Sequence, residues 1–145
     1  MVRTIDDWIK TIERGCKLYR VTDNEMIKAA KCSMGEIKFT RRKGALIFSA
    51  ILSSVSGEFG GHRVYAEITK DGNCKCGCAC PEWKYFGYAY WATQFGNAFY
   101  YTNNIYPQMR NPNAYLSGCH HVLTMLRYIK GNYSNMISKF LEGGA

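Results

Sequence analysis

The chain has 145 residues, 47% of them hydrophobic and 21% charged, with a formal net charge of +8; this is enough apolar material for one folded domain and excludes a disordered tail. Its longest apolar run, residues 45–52, is interrupted by Ser49 and is far shorter than the roughly 20 residues that span a bilayer, so no transmembrane helix is expected. Residues 1–7 hold two acids and no apolar stretch, so no signal peptide is expected either and the chain is assigned to a reducing cytoplasm.

Thr4, followed three residues later by Asp7, opens a helix over about residues 5–19, with Ile5, Trp8, Ile9, Ile12, Cys16 and Tyr19 at helical spacing. Thr22 and Glu25 have the form of a capping box for a second, short helix carrying Met26, Ile27, Ala30 and Cys32, which Gly35 stops. Beyond Gly35 the apolar period shortens to that of a strand. Ile37 and Phe39 alternate with Lys38 and Thr40, Arg42, Lys43 and Gly44 turn the chain, and residues 45–53 read as a buried strand. After a Gly-rich loop at residues 56–61, residues 62–69 put Val64, Ala66 and Ile68 on one face, and Asp71-Gly72 supplies a hairpin turn into Cys74. The expectation is a three-stranded antiparallel meander whose last turn delivers the cysteines.

Residues 81–118 hold 12 of the 21 aromatics with few charges, the composition of a local core or of an interface. After them Val122, Leu123, Met125, Leu126 and Ile129 predict an amphipathic helix ending at Gly131, and Met136, Ile137, Phe140 and Leu141 a last short one. The expected fold class is α+β in a single domain: N-terminal helices (1–35), a small antiparallel meander (36–73), a cysteine-bearing region (74–130) and a C-terminal helix (131–145).

Seven cysteines, an odd number clustered at short spacings in a reducing compartment, point to metal ligands more than to disulfides. Structural zinc takes four ligands tetrahedrally, mostly thiolate sulfur and imidazole nitrogen. Cys78 and Cys80, one residue apart in an extended segment, project to the same side. Cys119 and His121 can join them only if Cys119 sits at or before a helix cap, because residues two apart within a helix do not face each other. Gly118 permits that entry. Cys78, Cys80, Cys119 and His121 are therefore the candidate ligands of one zinc ion. Cys74 and Cys76 repeat the same spacing, which leaves open a shifted ligand pair or a second partial site. The isolated Cys16 and Cys32 read as buried thiols, His120 as a neighbour of the ligand, and His62 as a strand residue.

Cys78-Ala79-Cys80-Pro81-Glu82-Trp83 and Gly118-Cys119-His120-His121-Val122-Leu123 together resemble the SWIM zinc finger, of the form CxCP and then CxH. Two departures are His120, where a lysine is common, and the 38 residues between the ligand pairs. That long insertion, with its aromatic start, is similar to the SWIM-like proteins of tailed bacteriophages. The resemblance covers about residues 74–130. It implies a zinc cofactor in a closed shell, which is structural and not catalytic; with no HExxH or GxSxG motif present, no enzyme is expected. The expected role is a non-catalytic structural or assembly protein of a virion head, neck or tail, assembled in the host cytoplasm. Its partners would be other structural proteins of the particle, met through Trp83, Tyr85, Tyr88, Tyr90 and Trp91; neither a membrane nor a small-molecule substrate is implied. The alternative is a nucleic-acid-binding zinc finger, for which the compact triplet Arg41, Arg42 and Lys43 is the candidate contact.

Overall fold

A computed structural model describes residues 2–19, 33–53, 61–79 and 119–143. The elements are α1 (Ile5–Tyr19), β1 (Ser33–Met34), β2 (Lys38–Arg42), β3 (Ala45–Ser53), β4 (His62–Thr69), β5 (Cys74–Cys78) and α2 (His120–Leu141). This is an α+β fold, as the change of apolar period predicts.

The first helix starts where its capping box places it. Thr4 N–H donates to Asp7 Oδ2 (3.0 Å) and Asp7 N–H donates to Thr4 Oγ1 (3.2 Å), satisfying two backbone donors at the helix entry. Trp8, Ile9 and Ile12 then form its buried stripe. The side chains of Cys16 and Tyr19, and all of residues 20–32, where the second helix is expected, lie outside the described residues. That helix does not continue to Gly35, because Ser33 and Met34 already pair with Ser53 and Leu52.

The described strands form one antiparallel sheet in the order β1-β3-β4-β5, with β2 also paired to β3. β1 and β2 lie along the same edge of β3, but the register changes by one residue between Met34↔Leu52 and Lys38↔Ser49. Three residues (35–37) thus oppose two (50–51), a bulge that lets both Met34 and Ile37 pack against the core. The hairpin from β4 to β5 turns as Asp71-Gly72 predicts: Gly72 N–H donates to Thr69 O (2.9 Å) and Thr69 N–H to Asn73 O (3.0 Å), with Gly72 at φ 86°, a conformation that suits glycine. The cysteines then continue the sheet as a fourth rung of the meander and are not a loop beyond it. Their alternation with Lys75 and Gly77 is what a half-buried strand needs.

One face of the sheet carries Leu46, Phe48, Ala50 and Leu52 of β3, Val64, Ala66 and Ile68 of β4, and Cys74, Cys76 and Cys78 of β5, all buried. α1 and α2 pack on it and on each other, tied by Arg127 to Glu13 (3.0 Å) and Lys130 to Asp6 (2.6 Å); such exposed pairs contribute about 0–1 kcal/mol each. The core holds them more firmly, since full burial of one large apolar side chain stabilises by about 1.5–3 kcal/mol. α2 runs through Gly131 without a break, where the sequence predicts two helices. A lone glycine costs only about 1 kcal/mol in a helix interior, and Tyr133, Met136, Ile137 and Phe140 continue the apolar stripe onto the core. Among the described residues no helix is long and apolar enough to cross a membrane.

Candidate metal centre

The N-terminal strap fixes the start of β5. Arg3 N–H donates to Asn73 Oδ1 (2.8 Å), Cys74 N–H to Arg3 O (2.7 Å), and Trp8 Nε1–H to Cys74 O (2.8 Å). From that anchor the strand runs with Cys74, Cys76 and Cys78 opposite Ile68, Ala66 and Val64, so the three thiols lie in a row along the inner face. The ladder persists one residue further, Ala79 N–H donating to Arg63 O (3.1 Å).

The other half of the centre is the start of α2. Cys119 is its N-cap, with extended backbone (φ −83°, ψ 162°), and its carbonyl accepts the first helical bond from Leu123 N–H (3.2 Å). Because Cys119 stands outside the helix, its side chain swings to the same side as that of His121 in the first turn, as the spacing argument requires. The ligand atoms of Cys78, Cys119 and His121 all lie within 4.8 Å of one another. Their residues are 0%, 0% and 1% exposed, and the Nδ1 atom of His121 is enclosed by protein. None of Cys74, Cys76, Cys78 and Cys119 is in a disulfide.

Two sulfurs and an imidazole converging in a buried pocket form a group able to hold a metal ion. The donor chemistry is that of zinc and other metals that favour sulfur and nitrogen. Cys74 and Cys76 do not join this group. Their sulfurs are 3.8 Å apart, and burial pushes the Cys76 thiol well above its ordinary value, with the Cys74 thiol adding to the shift. Cys80, and the aromatic contacts Trp83, Tyr85, Tyr88, Tyr90 and Trp91, lie outside the described residues, as does Cys32; of His120 only the helical backbone is described.

Sequence reasoning gave His62 no part in the centre. Its ring packs edge-on against that of His121, with centroids 5.1 Å apart, because β4 begins beside the end of β5. No local spacing carries that signal; only the β4–β5 register does. The triplet Arg41, Arg42 and Lys43 is divided by strand alternation. Arg41 pairs across from Leu46 on the helix-bearing face and lies 5.6 Å over the Phe140 ring, whereas Arg42 is on the opposite face and Lys43 in the turn.

Fold and centre define this chain as an α+β protein with a buried Cys/Cys/His group able to hold a metal at the junction of a sheet edge and a helix start. Comparison with protein-family models, with curated proteins and with solved structures finds no match to it.

Proposed function

We propose that this chain is a non-catalytic zinc protein of SWIM-like type, with Cys78, Cys80, Cys119 and His121 around one ion, and that it serves as an assembly component of a bacteriophage particle. The observation that supports it most is the convergence of Cys78, Cys119 and His121 within 4.8 Å in a buried pocket, drawn from two elements with 41 residues between them in sequence. Cys80 is the natural fourth donor. Its support is the spacing, since two ligands one residue apart in an extended segment project to the same side. With it the shell closes, and a zinc ion with three thiolates and an imidazole has no position for a reacting water. The ion then acts as a staple between β5 and α2. The assembly role draws its support from the resemblance of the flanking residues and from the aromatic wealth of residues 81–118. Nucleic-acid binding through Arg41, Arg42 and Lys43 is less favoured, since the three do not make one patch.

Metal analysis and X-ray absorption test the centre: the expected result is one zinc per chain with three sulfurs and one nitrogen. Cys80→Ser should lose tightly held zinc, and Cys76→Ser should keep it. Full zinc retention in Cys80→Ser, with oxygen in its place, would mean an open site and sink the closed-shell reading. Serine at Trp83, Tyr85 and Tyr88 should abolish incorporation into the particle while zinc content is unchanged. Intact incorporation, with salt-sensitive nucleic-acid binding lost when Arg41, Arg42 and Lys43 become alanine, would favour the nucleic-acid reading.

A further inference from the structure

At the opposite end of the sheet from the metal centre, β2 and the C-terminal half of α2 bound a cleft of about 340 Å³ lined by Phe39, Arg41, Leu46, Met136, Lys139 and Phe140. Its floor is apolar and fixed: Leu46 is 1% and Phe140 3% exposed. Phe140 is held from behind by Lys70, whose Nζ lies 4.1 Å over its ring and donates to its carbonyl oxygen (2.8 Å). One wall is Phe39, 40% exposed and packed at 5.3 Å on Phe48. Among the described residues that line it, the charged ones are Arg41 and Lys139, both cations. The volume lies at the small end of ligand clefts, about 300–1,000 Å³, and suits one large apolar side chain.

The strand beside the cleft adds a second observation. All five residues of β2 are exposed, and among the described strands it pairs only with β3. The far edge of the sheet is treated differently, since β5 is bonded at its start by the Arg3 strap. An exposed strand edge can accept another strand through its backbone groups. On the cleft side this edge is basic, with Arg41 on the strand and Lys139 across the cleft. Two copies of such an edge repel one another, which argues against self-pairing.

We propose that β2 and its cleft form a docking site for an extended acidic segment of a partner protein. The segment adds to the β2 edge as a further strand, seats one large apolar side chain between Phe39 and Phe140, and brings carboxylates to Arg41 and Lys139, where charge-assisted hydrogen bonds are strongest. Backbone pairing supplies the register, the anchor side chain most of the affinity, and the cations the choice of an acidic partner. This site is remote from the metal centre and does not depend on the zinc reading.

The test uses the full chain as purified, ¹⁵N-labelled, and a blocked heptapeptide of glutamates around a central Phe and flanking valines. Amide shifts confined to β2 and the facing turn of α2 are expected. Replacing the peptide's Phe by alanine, or making Arg41→Gln with Lys139→Gln in the protein, should each weaken binding roughly tenfold. A peptide with lysine for glutamate should not bind. Binding should also weaken with salt in the wild-type chain, so the charge argument stays open to refutation should the double variant misfold. Equal binding by the lysine peptide, shifts elsewhere on the molecule, or none at millimolar peptide would overturn the proposal. So would stronger saturation of the same amides by a single-stranded oligonucleotide, or shifts that depend on protein concentration alone.

Discussion

At Thr4 and Asp7 a few atoms decide where the first helix begins, and the consequence can be read as a function of pH. Two hydrogen bonds close the capping box, and the Thr4 backbone N–H holds the Asp7 carboxyl below its ordinary value of 3.8, with the Thr4 hydroxyl assisting. A carboxylate with a depressed folded-state pKa contributes stability above its unfolded value and loses it as pH falls through the folded value. The wild-type chain should therefore lose stability in urea as pH drops below about 4. Asp7→Asn should flatten that part of the pH dependence, and Thr4→Ala should cost about 1 kcal/mol at neutral pH through the lost cap. An unchanged acid-side slope in Asp7→Asn would show that the box carries no stability. Asp71, whose carboxyl is lowered by the Thr69 hydroxyl and by Asn73 N–H, acts in the same direction in the β4–β5 turn.

Two glycines separate what an element tolerates from what it requires. Gly131 lies in the middle of α2, exposed, and a Cβ added there meets nothing within 4 Å. Alanine recovers backbone entropy at such a site, so Gly131→Ala should stabilise the chain by about 0.5–1 kcal/mol and raise its melting temperature. Gly61, just before β4, has φ 70°, and its Cβ would lie 2.6 Å from Ser53 Oγ, 2.7 Å from Leu52 O and 2.9 Å from Ile51 Cγ2. Gly61→Ala should destabilise by more than about 1 kcal/mol, because neither the backbone angle nor the space admits a side chain. Thermal unfolding of the two variants checks both signs, and a stabilised Gly61→Ala would mean that the β3–β4 approach has room for a side chain.

Across the whole molecule, β5 and α2 are joined along the chain by residues 79–119 and in space by packing and by the metal-capable group. A metal ion held there, zinc on the proposed reading, would close that long connection and couple metal binding to local order. Removing it with a chelator should speed amide exchange at Cys78, Ala79 and the first turn of α2, while β3 and β4, paired over eight residues from Ala45↔Thr69 to Leu52↔His62, keep their protection. Equal exchange in both regions with and without chelator would deny the coupling.

Much of this architecture is legible in the residues alone. The capping box at Thr4, the alternation of residues 45–53 and 62–69, and the Asp71-Gly72 turn each state their element locally, because helix entry, strand pleat and tight turn are set by neighbours two to four positions away. The requirement that Cys119 cap a helix was likewise forced by the geometry of residues two apart. What the sequence could not determine depends on which distant segments meet. The continuation of α2 past Gly131 is decided by burial of Tyr133, Met136, Ile137 and Phe140 against the core, which outweighs a glycine's local preference. The convergence of Cys78 with Cys119 and His121 is anticipated by the ligand spacing, whereas the packing of His62 on His121 follows from sheet register and helix docking. Those are non-local choices, made by the apolar area buried between elements and written in no short stretch of chain.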